Sequence, residues 1–452
     1  MTSPRLFRAL SVAIALALVT LVGCGQNGTA DTTRQEATAA TWPTPDLDPP
    51  GVTKDTVKIG FVVLDFSSLE KQLGIKLSDR GDADAQIKAL VDSANGNGGI
   101  AGHKVQPVVV KHEALSDSVA SERKICDHFT LEEPVFAVVM EGMLQDNVRQ
   151  CLAQSRILML DTTLYPVTTD DRAKLEPYYI SPALPAYEQA MGSFVSGLST
   201  QGFISDQTKV GVLALKSLSN ERLYAKYVLP ALRKAGTPPV KVIYVDPASD
   251  NSLRPGLEAA AREMQAAGID RLVTIGASRL LAYFIDFGSK PIGYAPRLAV
   301  TGFDNPEYLA KNYGPQLDGS VGMSLTPAKD LDPAAPPRFD NSGVEECLKL
   351  YEAGGVTFES RSQSSAAMAF CDAVRLLEVS LAGAPGPSAE AVEYGTQRLG
   401  RFVLASAYGT DFSVTPSTGA TGYRPMSWDA TCSCLKVSGD VIPLGTDASS
   451  SG

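Results

Sequence analysis

The chain is poor in the residues and motifs on which common enzyme chemistries depend. It has three histidines in 452 residues, so general acid–base catalysis would have to rely on carboxylates, and no closely spaced carboxylate pair stands out. The motifs Gly-x-Ser-x-Gly, Gly-Lys-Ser/Thr and His-Glu-x-x-His are absent. Gly96-x-Gly98-x-x-Ala101 has part of a dinucleotide-binding spacing, but it follows a predicted helix and precedes a predicted strand, the reverse of the required context. We therefore predict a protein that is not an enzyme and has no cofactor.

The chain also has no excess of basic over acidic residues. The chain has 40 lysines and arginines against 50 aspartates and glutamates, for a net charge of -10. Nucleic-acid binding requires a basic face that neutralises phosphates. The charge balance therefore argues against a nucleic-acid partner.

Only one apolar run approaches membrane-spanning length, and it lies at the start of the chain. Arg5 and Arg8 precede the apolar segment 9–22, which ends in Leu21-Val22-Gly23-Cys24. This pattern is typical of an export signal, and the last four residues resemble the lipobox of bacterial lipoproteins, in which the cysteine is lipidated. An ordinary signal peptide or a single transmembrane anchor are the alternatives. We predict a signal peptide over 1–23, lipidation at Cys24, and an extracytoplasmic protein anchored to the cell membrane, at the cell surface or in the periplasm.

The next segment, 24–55, is rich in Thr, Ala, Gly and Pro and has no apolar periodicity, which predicts a flexible tether. Without Arg5 and Arg8 the net charge becomes -12. About 400 residues remain for a folded body, enough for two domains. We predict a flexible tail over 446–452.

Six cysteines remain after Cys24, and an even number in an oxidising compartment favours disulfides. Sequence alone permits fifteen pairings of six cysteines. We favour Cys126 with Cys151 and Cys347 with Cys371, because each pair would bracket one local supersecondary unit. Cys432 and Cys434 could bond to each other or form half of a metal site, although no histidine lies near them. We predict no metal.

Short apolar segments alternate with amphipathic ones along the body. Strands are predicted at 57–64, 105–110, 135–140, 157–160, 209–215, 241–245, 271–275, 297–300 and 321–325. Helices are predicted near 82–94, 118–129, 146–154, 188–198, 221–234, 254–267, 343–353 and 363–382. A further helix is predicted after the strand 271–275 and ends at Phe287, and irregular β structure is predicted over 412–444. Strands separated by helices of this length form parallel sheets with right-handed crossovers. The fold class is therefore α/β.

At this point the chain resembles the type I periplasmic binding proteins, in particular the branched-chain amino acid-binding proteins of ABC importers. The most specific pieces are 51–60 (GVTKDTVKIG), which is similar to the family's entry into its first strand, and 95–102 (NGNGGIAG), which is similar to its turn from helix to second strand. The resemblance covers about 51–443. It implies two Rossmann-like parallel-sheet lobes joined by a multi-strand hinge that closes on a small ligand.

The same resemblance implies a discontinuous first lobe, with 56–182 and 322–408 in lobe 1 and 183–321 and 409–445 in lobe 2. The loop after the third strand is Glu141-Gly142-Met143-Leu144, whereas the branched-chain receptors have small hydroxyl residues there. We therefore carry over the architecture and the transport role but not the identity of the ligand.

Ligands of open parallel sheets bind outside the carboxyl ends of the strands, where loops can aim polar groups at one point. Hydroxyls and free backbone N–H groups could bind a carboxylate, and Glu141, Asp161 or Asp304 could bind an ammonium group. Each residue singly could instead be a helix cap or a solvated loop side chain. The predicted ligand-binding residues are Phe66, Ser67, Ser68, Glu141, Gly142, Met143, Asp161, Thr162, Thr163, Tyr187, Asn220, Ser278 and Asp304.

The predicted function is capture of a small polar metabolite, an amino acid or a related compound, and delivery to an ABC transporter permease. The alternative is a membrane-tethered sensor that uses the same hinge to signal to a partner protein. We expect a monomer whose partners are the small-molecule ligand, the permease and, through the lipid, the membrane.

Overall fold

The computed structural model describes most of the body of the chain. The described residues are 42–44, 48–73, 79–114, 118–142, 145–247, 250–276, 279–327, 336–338, 341–415 and 417–445. The predicted signal peptide, Cys24, most of the predicted tether, Met143, Ser278 and the predicted tail lie outside them.

The strands follow the apolar segments of the sequence. In chain order they are β1 (Thr56–Asp65), β2 (Lys104–Glu113), β3 (Ala137–Met140), β4 (Leu158–Asp161), β5 (Tyr179–Ile180), β6 (Val210–Leu215), β7 (Lys241–Val245), β8 (Arg271–Ile275), β9 (Arg297–Thr301), β10 (Val321–Ser324), β11 (Gly422–Asp429), β12 (Cys434–Val437) and β13 (Ile442–Pro443). Every residue of β3 and β4 is buried, as expected for strands covered on both faces.

Helices alternate with these strands. They are α1 (Ser67–Leu73), α2 (Ala83–Gly96), α3 (Val119–Asp127), α4 (Asn147–Gln154), α5 (Thr169–Ala173), α6 (Tyr187–Thr200), α7 (Leu218–Leu223), α8 (Leu229–Lys234), α9 (Asp250–Ala266), α10 (Leu280–Tyr283), α11 (Pro306–Tyr313), α12 (Ser342–Ala353), α13 (Arg361–Ser380) and α14 (Ala389–Leu399). Among the residues that the structure describes, no helix is both long enough and apolar enough to cross a membrane.

Two sheets organise the body, which confirms the predicted α/β class with two parallel-sheet lobes. The first sheet has the order β2-β1-β3-β4-β5 and is parallel throughout. The second has the order β12-β11-β10-β9-β8-β6-β7, with β13 beside β11, and β11 and β12 are antiparallel to their neighbours. We call β1–β5 with α1–α5 and α12–α14 the first lobe, and β6–β13 with α6–α11 the second lobe.

The core of the first lobe joins two distant parts of the chain. Phe61 of β1 is fully buried and packs with Phe370 of α13, their ring centroids 6.0 Å apart. Val344 of α12 and Phe412 belong to the same buried cluster. The chain therefore leaves the first lobe after β5, builds most of the second lobe, and returns.

The helices differ from the predicted ones in several places, and α1, α5 and α11 have no predicted counterpart. The predicted helix 221–234 is divided into α7 and α8 by a wider turn at Tyr224–Val228. Pro230 follows this turn and has no N–H to donate to a regular helix. Helix α14 was not predicted, although Ser388 caps it by accepting the N–H of Ala391 at 3.1 Å.

The structure also differs from the prediction where the tether meets the body. Trp42 is half-buried and packs edge to face on Tyr394 of α14, with ring centroids 5.2 Å apart. The guanidinium of Arg398 lies 5.7 Å from the centroid of the Trp42 ring. The predicted tether, 24–55, thus joins the folded body before its predicted end.

The structure contains the two favoured cysteine pairs. Cys126–Cys151 links α3 to α4, and Cys347–Cys371 links α12 to α13. Cys432 and Cys434 bond to each other in the turn between β11 and β12, which resolves the alternatives left open for them.

Candidate ligand-binding site

The carboxyl ends of the strands in the two lobes face each other across a cleft. On one side, the hydroxyl of Ser362 in α13 donates to Glu307 Oε1 in α11 at 2.7 Å. On the other side, Ser219 Oγ in α7 lies 3.4 Å from Asp171 Oδ2 in α5. The second lobe therefore contacts the first at two points of its row of strand-end loops, after β9 and after β6, and the loop between them, after β8, borders the cleft.

A small pocket lies where the chain crosses between the lobes. Thr162 and Thr163, both predicted ligand-binding residues, line it after β4. The other lining residues come mostly from the crossing segments and are largely apolar: Asp161, Leu164, Pro182, Ala183, Leu184, Thr326, Ala369 and Ser406. We call this the hinge pocket.

Asp161 belongs to a buried network below the hinge pocket. Its Oδ2 accepts hydrogen bonds from Arg149 Nε at 3.0 Å and from the Tyr179 hydroxyl at 2.9 Å. Its Oδ1 accepts the N–H of Thr163 at 2.9 Å. The charge of Asp161 is thus balanced within the first lobe.

Arg149 completes this network from α4. Its side chain is fully buried; Nη2 donates to the Thr163 hydroxyl at 2.9 Å, Nη1 donates to the Gln145 carbonyl at 2.6 Å, and the guanidinium lies 4.1 Å from the centroid of the Tyr165 ring. Burial is the largest single influence and would lower the pKa of Arg149, but the favourable electrostatic interactions with Asp161 first, and then with Tyr179, Tyr165 and Asp146, together outweigh it and raise that pKa. The network holds the loop after β4 in one conformation.

Glu141, after β3, is buried and forms an ion pair with Arg80. The Arg80 guanidinium also lies 5.3 Å from the centroid of the Phe66 ring, after β1. Burial lowers the pKa of Arg80 to about 10, while the negative charge of Glu307 in the second lobe opposes that shift. Arg80 therefore interacts electrostatically with an acid of each lobe. Gly142 has a φ of +72°, which favours glycine, and a Cβ there would lie 2.0 Å from a methyl carbon of Leu64.

Three predicted residues of the second lobe hold the ends of its strands in place. The Tyr187 hydroxyl accepts the N–H of Gly276 at 2.9 Å, and burial raises the pKa of Tyr187. Asp304 Oδ2 accepts the backbone N–H and the hydroxyl of Thr301, each at 2.8 Å. Asn220 Nδ2 donates to the Leu215 carbonyl at 2.9 Å.

Ser67 and Ser68 of the predicted set lie at the rim, after β1. The N–H of Ser67 donates to Asp65 Oδ1 at 2.8 Å, and the hydroxyl of Ser68 donates to Glu113 Oε1 at 3.1 Å. Ligand contact by any of the thirteen residues stays a prediction.

Asp372, which was not predicted as a site residue, fixes one wall of the hinge pocket. Its carboxylate accepts the N–H groups of Ala405 and Ser406, each at 2.8 Å, and also bonds to the Ser406 hydroxyl. Burial outweighs these hydrogen bonds and raises the pKa of Asp372 to about 7. Ser406 itself lines the hinge pocket.

Arg80 and Arg149 were also missed by sequence reasoning. The buried position of Arg149 could have been predicted, because Arg149 lies between the apolar Val148 and Leu152 in a predicted helix. A cation on a buried helix face needs an acidic partner. The role of Arg80 could not have been predicted from the sequence, because Arg80 lies in an irregular segment far in sequence from Glu141 and Glu307.

No family model and no curated protein matches this sequence. Solved structures of ABC transporter binding proteins do resemble it in fold. A solute-binding protein from Rhodopseudomonas palustris HaA2 in complex with p-hydroxybenzoic acid has a TM-score of 0.61 at 15% identity, over 88% of this chain and 100% of its own. The branched-chain amino acid transporter substrate-binding protein LivJ from Streptococcus pneumoniae, in complex with isoleucine, has a TM-score of 0.56 at 15% identity, over 86% and 100%.

A fatty acid ABC transporter substrate-binding protein from Thermomonospora curvata has a TM-score of 0.58 at 14% identity, over 87% of this chain and 94% of its own. These likenesses confirm the predicted two-lobe fold of the type I periplasmic binding proteins. At such sequence identities the likeness extends to the fold alone, and the three proteins are named for chemically different compounds.

Proposed function

We propose, for a chain with this fold, that the protein is an extracytoplasmic solute-binding lipoprotein that captures a small polar metabolite between its lobes. It acts as a monomer and delivers the solute, an amino acid or a related compound, to the permease of an ABC importer. The observation that carries this proposal is the pair of strand-end rims facing each other, with one contact between Glu307 and Ser362 and a second between Asp171 and Ser219.

Binding rather than catalysis suits the acids of this cleft. Asp161 is balanced by Arg149, and Glu141 forms an ion pair with Arg80. A general acid or base needs a proton that it can exchange with the substrate. Carboxylates that are held in ion pairs are better suited to stabilising the conformation of the loops that border the cleft.

Hinge closure is the first expectation that tests this proposal. A cleft with polar groups on both rims gains its full set of contacts only when shut, so a ligand shifts the population to the closed form. The full chain, purified in non-ionic detergent, is screened by thermal shift against amino acids, amides, small acids and aromatic metabolites. A compound present at 100 times its dissociation constant should stabilise the protein by about 2.7 kcal/mol.

Hydrogen–deuterium exchange then measures closure with the compound found. We expect slower exchange in both rims, over 66–68 and 161–164 in the first lobe and over 217–220 and 303–305 in the second. A surface segment remote from the cleft, 258–263 in α9, serves as the internal control. Protection restricted to one lobe would contradict capture between two lobes.

The lipid anchor is tested separately. Cys24→Ala should move the protein from the membrane fraction to the soluble fraction or leave it unprocessed, because acyl chains on this cysteine would provide the attachment. The double variant Cys432→Ala with Cys434→Ala, which alters cysteines of the folded body, should stay with the membrane. Mass spectrometry that finds an unmodified Cys24 in the native protein would exclude the anchor.

A further inference from the structure

Two cations lie at the cleft-facing ends of neighbouring strands in the second lobe. Lys216 directly follows β6, and Arg279 comes four residues after the last residue of β8. These strands are paired in parallel, with Ala214 opposite Ile275, so their carboxyl ends meet at one edge of the sheet. Both cations therefore belong to the same part of the rim.

Residues close in sequence to these two cations form hydrogen bonds near the cleft. Ser217, next to Lys216, caps α7 by accepting the N–H of Asn220 at 3.1 Å, and Ser219 in that helix contacts Asp171 of the first lobe. Gly276, three residues before Arg279, is bonded to the Tyr187 hydroxyl. Backbone next to Lys216 and backbone three residues before Arg279 are thus both held by hydrogen bonds.

Neither cation has a partner in the part of the chain that the structure describes. Lys216 and Arg279 are exposed, and neither side chain forms an ion pair or a hydrogen bond there. Some other basic residues of this lobe are engaged: Lys241 lies 2.7 Å from Glu263, and Arg271 Nε donates to the Phe203 carbonyl at 2.9 Å. Positive charge is therefore available at this rim for an incoming group.

The buried acids of the cleft, in contrast to these two cations, already have bonding partners. Asp161 is bonded to Arg149, Tyr179 and the backbone, and Glu141 is paired with Arg80. Asp304 accepts two hydrogen bonds from Thr301. An ammonium group would have to compete with each of these partners, whereas a carboxylate would displace only water from Lys216 and Arg279.

We propose that the cleft takes a small organic carboxylate with no ammonium group, held through its anionic end by Lys216 and Arg279. This inference rests on the proposed solute-binding function and narrows its substrate class away from zwitterionic amino acids. Arginine and lysine suit this role because a guanidinium can bind a carboxylate with two parallel hydrogen bonds and an ammonium adds a compact charge.

The test uses matched compounds that differ in charged groups, measured by calorimetry on the full chain in detergent. One set is 4-methylpentanoate, leucine and isoamylamine, and the other is 3-phenylpropanoate, phenylalanine and phenethylamine. We expect one of the carboxylates to bind at least about 10-fold more tightly than its amino acid, with no binding of the amine. Affinity for the carboxylate should also fall as salt concentration rises, since both cations are exposed.

Variants connect this preference to the two cations. Arg279→Gln and Lys216→Gln should each weaken carboxylate binding by roughly 10- to 100-fold, the range for a charge-assisted hydrogen bond. Lys290→Gln is the matched control, because Lys290 is also exposed but precedes β9 and so lies at the opposite edge of the sheet. All three variants should unfold at the temperature of the unaltered protein, because the replaced side chains are exposed.

The outcomes separate this inference from the proposed function. If an amino acid or an amine binds more tightly than its carboxylate and protects both rims from hydrogen exchange, the carboxylate inference is overturned and solute binding stands. Carboxylate binding that is unchanged in both variants also overturns the assigned role of the cations. If no compound of either set or of the broader panel protects both rims, the proposed function is overturned together with the inference.

Discussion

Replacing Arg149 by methionine should lower the free energy of unfolding by about 3–5 kcal/mol, the usual cost of breaking a buried ion pair. Methionine has a similar length but cannot donate a hydrogen bond. The change therefore leaves the Asp161 carboxylate buried without a cation, and the Gln145 carbonyl and the Thr163 hydroxyl lose their donors. Urea unfolding followed by circular dichroism measures the loss.

Arg123 provides the control for this prediction. It forms an ion pair with Asp127 at 2.8 Å on the same lobe, but its side chain is 63% exposed. Arg123→Met should cost less than about 1 kcal/mol, because solvent screens such pairs. Combining Arg149→Met with Asp161→Leu should recover part of the loss, since an apolar replacement of both partners leaves no buried charge. Equal costs for Arg149→Met and Arg123→Met would contradict the structural role assigned to the buried network.

Removing the Cys126–Cys151 disulfide, by changing both residues to alanine, should lower the free energy of unfolding by about 3.5 kcal/mol in the chain-entropy model. The bond closes a loop with a sequence separation of 25 and so restricts the unfolded chain considerably. The Cys347–Cys371 bond, with a separation of 24, should contribute about the same. The measurement is again urea unfolding of the purified protein under non-reducing conditions.

The third disulfide supplies the comparison. Cys432 and Cys434 are separated by only two positions, so their bond should contribute about 1.5 kcal/mol in the same model. Its removal should therefore be the mildest of the three. If the pair at 432 and 434 proved as costly as either long-range pair, loop closure would not be the source of the stabilisation.

The fold class could be predicted from the amino-acid sequence, because the relevant signals are local. Apolar segments such as the one that becomes β1 need burial on two faces, and the alternation of strands and helices then favours parallel sheets. The cysteine pairs were also predictable, since each joins two helices consecutive in the described chain. Helix α14 could also have been predicted, because its capping residue Ser388 is typical of a helix start.

The loops that border the cleft could be placed from the sequence, but the partners of their side chains could not. Parallel strands must end at a common edge, so Asp161 and Asp304 were correctly expected at the ends of β4 and β9. Which groups they bond depends on how the elements pack. Asp161 meets Arg149 of α4 and Tyr179 of β5, while Asp304 bonds to the end of its own strand.

Which charges of the cleft are balanced and which remain available became clear from the folded structure. Glu307 bonds to Ser362, 55 positions away, and also interacts with Arg80 across the cleft. Lys216 and Arg279 are left exposed at the rim. The physical reason is that local propensity and burial act over a few residues, whereas charge pairing depends on distances between side chains that the chain brings together only when both lobes have folded.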